Sequence, residues 1–290
     1  MNSSPPILVT GASGKTGRKV IAALAARGAL VRAFIRREEI ALEMKSCGAS
    51  EIALGDLYED ESIKTAIKDC QSVIHICPPM NPDETNIAQR ITNHCLEIGT
   101  ERLILYSVLH PLMNGVPHHD NKLKAERYLV NSGQIYTILQ PSRYMQHLIP
   151  IWNNVIRTGI HDMPFSVDAK FSVADLNDLA EATAVVATEN GHGGATYQLA
   201  GPDLLSQRDM ALILSGLTGK KIIAQAKTPE KFKADANAAG MPVARLDTML
   251  KMNAHYDAHG LVGNPNVLRW VLGREPTHFK EFVIRDLLEK

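Results

Sequence analysis

The feature that most constrains the fold stands near the start of the chain. The apolar run Ile7-Leu8-Val9 leads into Thr10-Gly11-Ala12-Ser13-Gly14-Lys15-Thr16-Gly17. A helix-patterned stretch follows from Gly17 to Arg27, with Val20, Ile21 and Leu24 on one face, Gly28 as C-cap and Leu30–Ile35 as the next strand. Together these make a βαβ unit, and in that setting each glycine has its own duty. Gly11 permits a tight turn, Gly14 lets a backbone approach a pyrophosphate, and Gly17 lets the helix pack closely on the strand. The helix N-terminus favours phosphate charge. Thr10, Ser13, Lys15 and Thr16 share the turn and are candidate contacts of a dinucleotide. Gly14-Lys15-Thr16 looks like the end of a triphosphate-binding P-loop, but that motif needs glycine where Val9 stands.

The alternation continues. Ile52–Leu54, Val73–Ile76, Leu103–Tyr106 and Tyr136–Leu139 read as strands, and Asn121–Ser132 as a helix that ends at Gly133. Six strands in this rhythm predict an α/β fold, a doubly wound parallel sheet binding its ligand at the carboxyl ends of the strands. Phe171–Val173 and Thr196–Leu199 read as late strands flanking a helix over Asp178–Thr188. Ser206 and Asp209 form a capping box, and the chain is mostly helical from Pro229, ending in an amphipathic segment over His278–Leu288. The expected division is a dinucleotide-binding domain over residues 1–150. Residues 151–290 would complete the sheet and form a smaller, mostly helical substrate lobe, one wall of a cleft.

Lysines and arginines balance aspartates and glutamates at 31 each. No global field therefore draws nucleic acid or an anionic membrane, and no binding motif for nucleic acid is visible. No apolar run is long enough to span a bilayer, and Met1–Pro6 lacks the regions of a signal peptide. Cys47, Cys70, Cys77 and Cys95 are scattered without metal-ligand spacing. The expectation is a cytoplasmic protein with reduced thiols, no metal and a small-molecule substrate, as monomer or homodimer.

Several residues invite chemistry. A carboxylate at the end of the second strand would hold the ribose 2′-hydroxyl of NAD, but that segment reads Ala33-Phe34-Ile35-Arg36-Arg37. Arg36, helped by Arg37 and Lys15, suits the 2′-phosphate of NADP(H) through charge-assisted hydrogen bonds; the alternative is a pair of solvated strand-end arginines. Asp56 in Gly55-Asp56-Leu57 would accept from an adenine amino group or cap the next helix. Cys77-Pro78-Pro79 follows the fourth strand where a nicotinamide would lie, with Pro78 stiffening the loop. Cys77 is read as a small buried residue rather than a redox-active thiol. Tyr144 and Met145, after Gln140-Pro141, would line a substrate pocket or belong to the core.

With these residues in view, the chain resembles the NmrA-like, atypical branch of the short-chain dehydrogenases/reductases. Thr10–Gly17, Arg36, Gly55-Asp56-Leu57, Lys122–Glu126, Ser132-Gly133, Tyr136–Pro141, Asp175–Ala182 and Gly273–Pro276 carry the resemblance, over nearly the whole chain. It implies a Rossmann domain, an NADP-type cofactor and a small C-terminal substrate lobe. The superfamily's Tyr-x-x-x-Lys pair is missing: none of the seven tyrosines has lysine four residues later. His118 stands where the tyrosine would be, ahead of Lys122, and Ser107 falls in the corresponding serine region. The resemblance implies that Lys122 binds the nicotinamide ribose. His118 would donate a proton and Ser107 would orient it or the substrate; alternatively His118 and His119 are polar loop residues. The leading expectation is an NADPH-dependent reductase of a small apolar carbonyl, enone or quinone. The alternative is a non-catalytic NADP(H)-sensing regulator.

Overall fold

The computed structural model describes residues 5–289, so the first four residues of the Met1–Pro6 segment lie outside the described residues. The chain divides into two compact units. One comprises Met1–Pro111, Asn121–Gln140 and Asn177–Tyr197; the other comprises Leu112–Asp120, Pro141–Leu176 and Gln198–Lys290.

Six strands build the sheet of the first unit: β1 (Ile7–Val9), β2 (Val31–Ile35), β3 (Glu51–Leu54), β4 (Ser72–His75), β5 (Arg102–Tyr106) and β6 (Tyr136–Pro141). Two later strands, β7 (Ile160–Met163) and β8 (Lys170–Val173), fall in the second unit, and β9 (Ala195–Leu199) joins beside β6. The order is β3-β2-β1-β4-β5-β6-β9. From β3 to β6 every pairing is parallel, with Val9 opposite Ala33 on one side and Ile74 on the other. The chain leaves β1 toward β2 and later returns to its other side as β4. The switch point of this doubly wound sheet therefore lies at the carboxyl ends of β1 and β4, where such sheets hold their ligands.

Helices α1 (Lys15–Ala26), α2 (Ala41–Ser46), α3 (Asp60–Ile67), α4 (Glu84–Ile98) and α5 (Pro117–Asn131) connect these strands. Leu8, Phe34, Val73, Leu103, Leu105 and Ile138 of the sheet share one core with Ile63 and Ile67 of α3, Ile87 and Ile91 of α4, and Leu129 of α5. The next residue along β5 points the other way, because side chains alternate along a strand. Tyr106 reaches its hydroxyl to Thr183 at 2.9 Å on α7 (Leu176–Thr188), so helices cover both faces.

Helix α5 begins four residues before the expected Asn121. Pro117 occupies its first turn, where a missing N–H costs nothing. His118 and His119 are therefore helical residues, not loop residues.

The second unit contains α6 (Trp152–Thr158), β7, β8, β10 (Asp203–Ser206), α8 (Gln207–Thr218), β11 (Ile223–Ala226), α9 (Pro229–Ala238), α10 (Val243–His259), α11 (Asn266–Leu272) and α12 (Phe279–Val283). β8 pairs with β10 antiparallel and β7 with β11 parallel. The capping box at Ser206 and Asp209 is present. Phe165 and Phe171 pack at 4.7 Å between centroids, with Tyr256 edge-on to Phe171 at 5.6 Å. Buried Asp175 accepts from Gln146 at 2.7 Å and Arg285 at 2.6 Å, tying three distant segments together.

Candidate cofactor and active site

The glycine turn is fixed by close backbone approaches. Gly11 has φ +62°, and a Cβ there would lie 2.3 Å from the carbonyl oxygen of Ile76, beyond the end of β4. A Cβ on Gly17 would lie 2.3 Å from the Gly11 oxygen and 2.7 Å from the Ala12 backbone. Gly17 thus permits the helix to close on the turn itself, where the sequence suggested packing on the strand. Gly14 is exposed, donates to the Gly11 oxygen at 3.0 Å and precedes α1, which no side chain caps. Uncapped first-turn N–H groups beside an open glycine form a cradle for an anion.

Around that cradle stand Ser13 and Lys15, both exposed, and half-buried Thr16. Arg36, directly after β2, is exposed too. Neither Lys15 nor Arg36 has an acidic partner among the described residues. Asp56 does not cap the next helix: its Oδ1 accepts from the Tyr58 N–H at 3.1 Å, and Glu59 holds the N-cap of α3. The chain between β3 and α3 turns once more before the helix starts, which moves the cap past Asp56.

Thr10, at the end of β1, is fully buried. Its Oγ1 accepts from the Ile76 N–H at 3.1 Å and bonds His75 Nδ1 at 2.8 Å. Burial, reinforced by the charge of Lys122, pulls the His75 pKa down to about 3, so its ring is neutral. Cys77 is buried, and burial pushes its thiol up to about 12. It is no thiolate nucleophile. Pro78 lies exposed beside it.

Lys122 is the centre of this region. It is buried, forms an ion pair with Glu84 at the start of α4, and donates to the Tyr106 carbonyl at 2.6 Å. Burial raises the Glu84 carboxyl, opposed by Lys122. One helical turn further along α5, Glu126 accepts both hydrogen bonds of the Gln140 amide at 2.9 and 3.0 Å. Burial raises its pKa, while Ser107, Gln140 and Lys122 pull it back. The structure therefore gathers Thr10, Cys77, Ser107 and Lys122 at the ends of β1, β4 and β5. It adds His75, Glu84, Glu126 and Gln140, which the sequence reading missed. The spacing of Lys122 and Glu126 on one helix face was a usable signal; nothing local to Glu84 points to Lys122.

His118 is half-buried in the first turn of α5, with His119 fully buried behind it and bonded through Nε2 to the Tyr256 hydroxyl at 3.2 Å. Tyr144 and Met145 line a small pocket of the second unit. Among the described residues no cluster of metal ligands exists, and no helix is long and apolar enough to cross a membrane.

Known proteins share this architecture. The NAD(P)H azoreductase of Xenophilus azovorans is 26% identical over 281 residues, covering 95% of this chain and 96% of that protein. The crystal structure of the NADPH-dependent quinone oxidoreductase of Escherichia coli with NADPH superposes with a TM-score of 0.85 at 23% identity, covering 96% of this chain and 99% of that one. The Citrobacter sp. triphenylmethane reductase with NADP(H) gives 0.85 at 23%, covering 97% and 100%. These two structures share the fold. Residues 3–289 match the NmrA-like family: the chain belongs to that family.

Proposed function

We propose that the protein is an NADPH-dependent reductase of a small apolar carbonyl, enone or quinone. The observation that carries this reading is the uncapped α1 N-terminus against the Gly11–Gly17 turn, an anion cradle at the switch point. The azoreductase and quinone oxidoreductase relatives support it by what they are named for.

When bound, the cofactor would supply the reducing equivalent. Gly11, Ser13, Gly14, Thr16 and Gly17 would hold its pyrophosphate, and Arg36 with Lys15 would meet the 2′-phosphate. An ammonium has three donors; Glu84 and the Tyr106 carbonyl take two of Lys122, leaving the third for ribose hydroxyls. Cys77 and Pro78 would wall the nicotinamide side. His118, four residues before Lys122 on α5, would donate the proton, and Ser107 would act through the Glu126 region as a positioning group. Tyr144 and Met145 would contact substrate, with residues 151–290 supplying most of the substrate lobe.

NADPH consumption against a panel of quinones, enones, imines and aldehydes tests this, with His118→Ala and Lys122→Ala as controls. Turnover lost in Lys122→Ala supports the reductase. Tight NADP binding with no turnover across the panel supports the sensing role, for which the absent Tyr-x-x-x-Lys pair is the favouring observation.

A further inference from the structure

Two opposite charges are buried together near the carboxyl ends of β4 and β5. Glu84 opens α4 and is ion-paired with Lys122 of α5, both side chains almost out of reach of water. The Tyr106 carbonyl, at the end of β5, accepts a second N–H of the ammonium at 2.6 Å. Burial raises the Glu84 carboxyl, while Lys122 and the N-terminus of α4 favour its ionised form. Its neighbour Asp83 is turned toward the Tyr58 hydroxyl at 3.3 Å.

Cys77 registers the balance of these charges, at the place where a nicotinamide would lie. Burial does most to raise its thiol; Glu84 raises it further, Lys122 lowers it, and Asp83 adds a weaker upward push. Glu84 therefore weighs more at Cys77 than Lys122 does. Burial and the Lys122 charge keep the His75 ring neutral, so it contributes no charge of its own. A lone buried lysine would make this corner positive. The carboxylate cancels that field.

The two redox forms of the cofactor differ by one charge at the nicotinamide: the oxidised ring is a cation and the reduced ring is neutral. A positive field disfavours the first and leaves the second untouched, and fixed charges near the ring are one of the protein's means of tuning it. We propose that Glu84 sets the choice between NADP+ and NADPH, balancing Lys122 so that the oxidised form binds about as tightly as the reduced. Glu84 is a positioning residue in this role, acting through Lys122 and through its own field. The inference rests on the reading of the glycine turn and Lys122 as the cofactor site. Such a site fills according to the ratio of the two forms in solution.

Calorimetric titration of the full-length protein with NADP+ and with NADPH at pH 7 tests it, read as the ratio of the two dissociation constants. In the wild type NADP+ should bind no more than about threefold more weakly than NADPH. Glu84→Gln should raise that ratio at least about fivefold. One unbalanced charge acting over roughly 10 Å at an effective dielectric of ~20 is worth about tenfold or more in an equilibrium. Glu84→Asp keeps the charge and should leave the ratio within about twofold of wild type. Damage to packing alone would weaken both nucleotides alike. A wild-type ratio above about threefold overturns the proposal even if Glu84→Gln fails to fold. Failure of both nucleotides to bind overturns the cofactor reading and this inference with it. Binding of both to folded Glu84→Gln with an unmoved ratio, or an equal rise in Glu84→Asp, overturns this inference alone.

Discussion

Lys122 of α5 and Glu84 of α4 form an ion pair almost out of reach of water, their side chains 8% and 3% exposed. Burying two charges is costly, and removing one partner leaves the other uncompensated. Lys122→Met and Glu84→Met should each lower unfolding free energy by about 3 kcal/mol, while the double variant Lys122→Met with Glu84→Met should recover most of the loss. Urea denaturation of the three variants checks this; additive losses in the double variant would refute the coupling.

Gly14 and Gly17 should separate affinity from stability. A Cβ on Gly17 meets backbone at 2.3 and 2.7 Å, so Gly17→Ala should cost roughly 2–3 kcal/mol of stability. A Cβ on exposed Gly14 meets only the Gly11 oxygen, at 3.2 Å. Gly14→Ala should weaken NADPH binding about tenfold or more with little change in the melting temperature. Thermal melts and NADPH fluorescence titration read the two quantities.

Arg36 has no acidic partner among the described residues and is exposed, so its replacement should change cofactor choice and not folding. Arg36→Asp should weaken NADPH binding by about tenfold or more and improve NADH relative to it. Titration with both nucleotides decides; an unchanged ratio would remove Arg36 from the site.

His75 and His161 make stability depend on pH. Their folded pKa values, about 3 and about 4, lie below the ordinary 6.5. Below pH 6.5 the unfolded chain takes up protons that the folded chain refuses, so stability falls as pH drops from about 6.5 toward 4. His75→Asn keeps a polar partner for Thr10 and removes one such site. It should flatten the slope of stability against pH by about 1.4 kcal/mol per pH unit in that window. Chemical denaturation at several pH values measures the slope.

Cysteine reactivity should follow burial. Cys70, Cys77 and Cys95 are buried, with thiols raised to about 11, 12 and 12, whereas Cys47 is half-buried and unpaired. Iodoacetamide at pH 8 should label Cys47 in the native protein and all four after denaturation, as read by mass spectrometry. Rapid native labelling of Cys77 would contradict its assignment as a packed wall residue.

The first βαβ unit, the six strands of the parallel sheet and the helical character after Pro229 were determined by the sequence alone. Glycine placement, apolar periodicity and caps are local signals, and each constrains only its own few residues. β7, β10 and β11 escaped because segments such as Ile223-Ala-Gln-Ala carry no alternation, and their pairing partners lie far along the chain. The start of α5 escaped because Pro117 ends a helix pattern as readily as it begins one. The turn from Thr10 to Gly17 could be read because its glycine spacing, the strand before it and the helix after it are adjacent in the chain, whereas the Ile76 and His75 contacts of Gly11 and Thr10 became visible only in the fold. What only the tertiary structure decided is charge pairing across distance. Lys122 meets Glu84 from another helix, and His75 meets Thr10 from another strand. Such pairs depend on which elements the fold brings together, and burial then sets their strength by removing water.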